Sequence, residues 1–136
     1  MKSVKKRFKL GLADIESSAA ELALLCADLT LLEDMQNLAA EILAAVTSLK
    51  QACGEFNKQE FCEGIADSEA WQVLEDMIDA DALSLLEERM FNGLGDHADS
   101  EAGIFLQQTL DKIGKRYTQI ITTIQELSAL IASEGD

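Results

Sequence analysis

The chain has 136 residues, 11 basic against 25 acidic side chains, a formal net charge of −14 and no proline. That length suits one domain with one core, and a hydrophobic content of 48 % excludes a disordered acidic chain. Ordinary usage of about 5 % would give roughly seven prolines. Their absence, with only 5 % aromatic residues, predicts an all-α bundle cored mainly by Leu, Ile, Ala and Val.

The first nine residues, MKSVKKRFK, hold five positive charges (Lys2, Lys5, Lys6, Arg7 and Lys9), which leaves 6 basic against 25 acidic residues in the rest. They do not read as a signal peptide. The apolar run behind them is Leu10 to Ala13, shorter than the about 7–15 residues such a segment needs. Later apolar runs fall far short of the about 20 residues that span a bilayer, so a soluble, cytoplasmic protein is expected. Taking Met1 as heptad position a, the a series is Met1, Phe8, Ile15, Leu22, Leu29, Gln36, Leu43 and Lys50. The d series is Val4, Gly11, Ser18, Leu25, Leu32, Ala39, Val46 and Cys53. This seam predicts helix over 1–53, with Val4 and Phe8 already in phase. One straight helix of that length would be roughly 80 Å long, too long for a globular monomer of this size. A break is therefore expected at Thr30-Leu31-Leu32-Glu33, which has the form of a capping box, in preference to an unbroken rod.

Gly54 suggests a stop, and Asn57 to Glu60 a new helix start. Residues 58–92 read as short helices divided at Gly64 to Ser68 and at Asp79 to Asp81. Trp71, Val73, Leu74, Met77 and Ile78 supply the apolar face of one of them, and Leu83, Leu85, Leu86, Met90 and Phe91 that of the next. Asn92 to Asp96 reads as a loop. A final helix is predicted over 101–132, with a positions Gly103, Leu110, Tyr117, Ile124 and Ile131 and d positions Leu106, Ile113, Ile120 and Leu127. It suits packing against the first helix. Alternatively, Leu110, Tyr117, Ile120, Ile124, Leu127 and Ile131 form a seam for a partner helix or a second copy. Thr118, Gln119, Thr122, Thr123 and Gln125 make a face low in charge, which hints at a cover.

No catalytic constellation emerges, and a non-enzymatic protein with no cofactor is expected. The single histidine, His97, has no close cysteines for a zinc site and no Glu three residues before it for a di-iron site. The acids Asp96, Asp99 and Glu101 lack the ligand ladder of an EF-hand. Asp99 or Ser100 is better read as the cap of the last helix. Cys26, Cys53 and Cys62 are odd in number and irregularly spaced, as in reduced buried thiols. Hydrolase elbows, phosphate-binding glycine loops and dinucleotide fingerprints are missing. Consecutive acids such as Glu75-Asp76 and Glu87-Glu88 point in different directions on a helix and read as surface.

Charge is the remaining clue. Residues 63–101 hold twelve acids and one base, Arg89, so the body is disfavoured as a direct ligand of nucleic acid. The basic start opposes the dipole of its own helix and points to an acidic surface, within the chain or on a partner. In composition alone the chain resembles bacterial secretion chaperones and adaptors, and small phage- or plasmid-borne inhibitors. No motif transfers a residue from either. Two functions follow. One is a helical adaptor or chaperone-like module that binds a partner helix or a second copy along its seams, steered by Lys2, Lys5, Lys6, Arg7 and Lys9. The other is an acidic inhibitor whose Glu75, Asp76, Glu87 and Glu88 block a basic, nucleic-acid-binding surface. Membrane docking through residues 1–12 is disfavoured by the short apolar face there.

Overall fold

The structure, a computed structural model, describes residues 4–27, 33–57, 60–79, 84, 85, 87, 88, 92 and 99–134. Among these the chain is helical and contains no strand. Its main elements are α1 (Val4–Cys26), α2 (Glu33–Glu55), α3 (Phe61–Ala66), α4 (Glu69–Asp79) and α5 (Glu101–Glu134). The expected break between the first two helices is present. Thr30 lies outside the described residues, and Glu33 is the first residue of α2.

Contacts between the long helices fix their directions. Glu16 on α1 pairs with Lys50 on α2, and the Lys5 Nζ donates to the Phe56 carbonyl at 3.3 Å. Along α5, Leu127 lies against Gly11, Thr123 and Gln119 bond Asp14, and Arg116 pairs with Glu21 at 2.9 Å. Position numbers rise along α1 as they fall along α2 and α5, so α1 runs antiparallel to both. α4 packs on α2 and α5, and α3 closes one end.

The heptad phase is not carried through the turn. On α1 the buried residues include Phe8, Ile15 and Leu22 at a, with Leu12, Ala19 and Cys26 one turn on. On α2 they include Ala39, Val46 and Cys53 at d, with Met35, Ile42 and Leu49 one turn before each and Ala45 beside them, while Leu43 is half-buried and Lys50 exposed. The chain reverses direction between the helices, and each then turns its own apolar stripe inward. On α5 the expected series holds: Ile113, Tyr117, Ile120, Ile124, Leu127 and Ile131 are buried, and Leu106 and Leu110 half-buried.

Small helices dock through aromatic side chains. Phe8 meets the edge of Phe61 and the tilted ring of Trp71, both at 5.5 Å between centroids. Such pairs add about 0.5–1.5 kcal/mol each beyond the area they bury. Side chains bond the backbone at or just ahead of the helix starts. Asn57 Oδ1 accepts from the Glu60 amide at 2.9 Å, Ser68 Oγ from the Trp71 amide at 3.2 Å, and Ser100 Oγ from the Gly103 amide at 3.1 Å. Ser68 and Ser100 each supply an acceptor to an otherwise orphaned helix-start donor, whereas the Asn57 bond closes a turn just ahead of α3, whose cap residue, Glu60, makes no side-chain cap bond. Of the loop expected at 92–96, Asn92 is helical; Gly93 to Asp96 and His97 lie outside the described residues.

The antiparallel hairpin also gives the basic start a place. α2 has no basic residue in its last turn and α1 no acid in its first. Lys5 bridges the two ends, its ammonium on a carbonyl at the negative end of the α2 dipole. The charge that disfavours the start of one helix thus caps the end of its neighbour.

Candidate functional site

Among the described residues no group of three or more His, Cys, Asp or Glu side chains could hold a metal ion. No helix among them is long and apolar enough to cross a membrane. What the surface does offer is a groove of about 830 Å³ between α2 and the start of α4. A concavity of that size falls within the range of known binding sites.

Its floor comes from one side of α2: Ala44, Ser48 and Ala52, with Ala45 buried at the edge of the core beside them. Ala44, Ser48 and Ala52 are spaced four apart, so they fall on one face of the helix. Their side chains end at Cβ or one atom beyond, and so they leave space above the backbone instead of filling it. Phe56 closes one end, and Ser68, Ala70 and Val73 form the α4 wall. Val73 was expected on the inward face with Trp71, Leu74 and Met77. Those three are buried, but Val73 remains 41 % exposed in this wall. The Phe56 ring is seated by Gly64, where an added Cβ would come within 2.6 Å of it.

Glu41, Glu55 and Glu69 complete the lining, and all three are exposed. No lysine or arginine among the described residues lines the groove. Among the described residues none of these three carboxylates has an ion pair or hydrogen bond. Carboxylates at the contacts between helices differ. Glu16 and Glu21 are ion-paired, and Asp14 accepts from Gln119 Nε2 at 3.1 Å and from Thr123 Oγ1 at 2.9 Å.

The residues that the sequence nominates for partners lie elsewhere. Tyr117, Ile120, Ile124, Leu127 and Ile131 are inside the chain's own core, facing α1 and α4, and Leu110 is half-buried beside them. Of the low-charge face on α5, Thr123 is buried and Gln119 bonded to Asp14, while Thr118, Thr122 and Gln125 are exposed. Part of that face is therefore covered by α1 itself. Lys5 is tied to α2; Lys6, Arg7 and Lys9 are exposed, and Lys2 lies outside the described residues. Glu75 faces inward, accepting from the Trp71 indole N–H at 2.6 Å and from Ser128 Oγ at 3.3 Å. Asp76, Glu87 and Glu88 are exposed.

All three cysteines are free thiols. Burial pushes the Cys26 thiol up to about 11. Burial also raises Cys53, against the opposing pull of the Lys9 and Lys5 charges. Neither environment makes a nucleophilic thiolate near neutral pH.

Sequence reasoning did not single out Glu41, Ala44, Ser48, Ala52 or Glu69. The signal was an alanine- and serine-rich stripe bounded by glutamates, which reads equally well as plain helix-forming surface. The fold and groove define a class, an all-α bundle with an open acidic groove. No family model, curated protein or solved structure matches the chain.

Proposed function

We propose that the chain is a non-enzymatic helical interaction module, adaptor-like or chaperone-like, that holds a helix of a partner protein in the groove between α2 and α4. The supporting observation is the groove itself: a floor of small side chains along several turns of α2, with apolar Phe56 and Val73 within reach of an occupant. Helix-in-groove recognition needs such a concave, partly apolar track. The heptad seams are a poorer choice. A partner or second copy using Tyr117 to Ile131 would have to displace the chain's own helices from a closed core. A cytoplasmic setting suits three free thiols.

The inhibitor reading has less support, because one of its four carboxylates, Glu75, is occupied by Trp71 and Ser128. A library of amphipathic helical peptides selected on the full chain tests the module. Selected binders should lose about tenfold or more in affinity, at least 1.4 kcal/mol, on the Ser48→Trp variant, which fills the floor. Binders indifferent to that change, or none at all, would remove the groove from the account.

A further inference from the structure

We infer that the groove takes a cationic amphipathic helix, one whose Lys or Arg side chains flank a stripe of small and apolar residues. This rests on the groove being a docking site and adds the chemistry of its occupant.

The argument begins with the rim. Glu41 and Glu55 stand near opposite ends of the stripe on α2, and Glu69 stands on the opposing α4 wall. Fourteen residues of α2 separate the first two, which is roughly 21 Å at 1.5 Å per residue. A helix of about four turns laid along Ala44, Ser48 and Ala52 would have a carboxylate near each end and a third on its flank. Among the described residues these carboxylates are exposed and unpaired, and none of the described lining residues is basic. Asp14, Glu16 and Glu21 are partnered across helix contacts. The three rim carboxylates outnumber the one positive charge that Lys5, on the Phe56 carbonyl, brings to the Glu55 end, so the rim keeps a negative field.

The floor limits the shape of the occupant. Small side chains let a second helix approach toward the short end of the usual 8–10 Å interaxial range, with apolar side chains reaching Phe56 and Val73. The field limits its charge. An acidic helix would meet three like charges, and an anionic membrane surface would be repelled as well. A second copy of this chain brings a net charge of −14 against −14. A cationic helix meets opposite charge on both sides of an apolar contact, which favours fast and specific association.

The test uses three synthetic helices with the same Leu/Ala stripe and with Lys, Gln or Glu flanks, titrated calorimetrically into the full chain. At low salt the Lys peptide should bind about tenfold or more tightly than the Gln peptide, and the Glu peptide more weakly than either. That preference should fade in about 0.5 M salt, where screening acts over a few ångströms. In the Glu41→Lys/Glu55→Lys/Glu69→Lys variant the order should invert. Equal binding of Lys and Gln peptides, if both are lost on Ser48→Trp, would leave the docking site standing and overturn its cationic preference. Peptides that bind unaffected by Ser48→Trp would overturn the groove itself. Self-association in sedimentation, abolished by Ser48→Trp, would assign the groove to a second copy and overturn the inference too. The comparison among peptides on the unaltered chain decides the matter even if the triple variant fails to fold.

Discussion

Two faces of this bundle are built from the same kind of helix and come out opposite in character. Where α1 meets α5, Phe8, Ile15 and Leu22 on one helix and Ile113, Ile120 and Ile124 on the other are fully buried in one apolar core. Where α2 meets the start of α4, Ala44, Ser48 and Ala52 leave a groove. Helical geometry is common to both, so the difference lies in side-chain volume. The polar groups follow suit. Asp14, at the edge of the closed face, has both carboxylate oxygens bonded across the interface, whereas the acids around the groove face solvent.

The sharpest way to break that contrast is to change volume on each side. Ile120→Ala removes branched atoms from a position with no solvent exposure, and it should cost about 2–5 kcal/mol in urea-monitored unfolding. Adding volume at the groove, as in Ser48→Leu, should shift stability by no more than about 0.5 kcal/mol, the usual range for surface changes. Comparable losses at the two sites would mean that the α2–α4 face is packed core.

Much of the closed face was legible in the sequence. The spacing of Tyr117, Ile120, Ile124, Leu127 and Ile131 announces one buried stripe, and Ser100, one of the two residues read as the cap of the last helix, accepts from the Gly103 amide there. The heptad reading misplaced the stripe on α2, because a period says which residues share a face but not how a chain reversal rotates that face. The α5 seam was ambiguous for a related reason: periodicity is the same whether the covering helix belongs to the chain, as over Tyr117 to Ile131, or to another molecule. The groove was the least legible. Alanine favours helices wherever it stands, so a functional Ala44-Ser48-Ala52 floor and an inert surface have one signature. Only the position of α4 separates them.

A smaller effect concerns the polar edge of the closed face. Asp14→Ala removes the acceptor for Gln119 Nε2 and for Thr123 Oγ1, although the single Thr123 hydroxyl proton, shared between Asp14 and the Gln119 carbonyl at 2.9 Å, can turn wholly to that carbonyl. Asp14 is itself exposed, so water softens the loss, and about 1 kcal/mol of destabilisation is expected. A double-mutant cycle with Thr123→Val isolates the shared part. Coupling near zero would show that Asp14 fastens nothing and that apolar packing alone holds α1 on α5.

The mildest probe leaves stability near neutral pH untouched and compares access to the two faces. Cys26 is buried at the end of α1 and its thiol is pushed up to about 11, against an ordinary 9.0. At pH 8 only about one such thiol in a thousand is ionised, compared with about one in ten for an ordinary one. Ser48→Cys would put a thiol on the groove floor. Mass-spectrometric mapping of alkylation should find position 48 labelled quickly and Cys26 labelled only through opening of the bundle. The same shift has a stability consequence with a fixed sign. Below the ordinary value, folded and unfolded chains both hold the proton, so Cys26 adds no pH dependence. Between about 9 and about 11 the unfolded chain releases a proton that the folded chain keeps, and stability falls as pH rises. Replacing Cys26 with Ala should flatten that alkaline slope. An equally steep slope in Cys26→Ala would assign the alkaline loss to other groups, and rapid labelling of Cys26 at neutral pH would show that the closed face is open too.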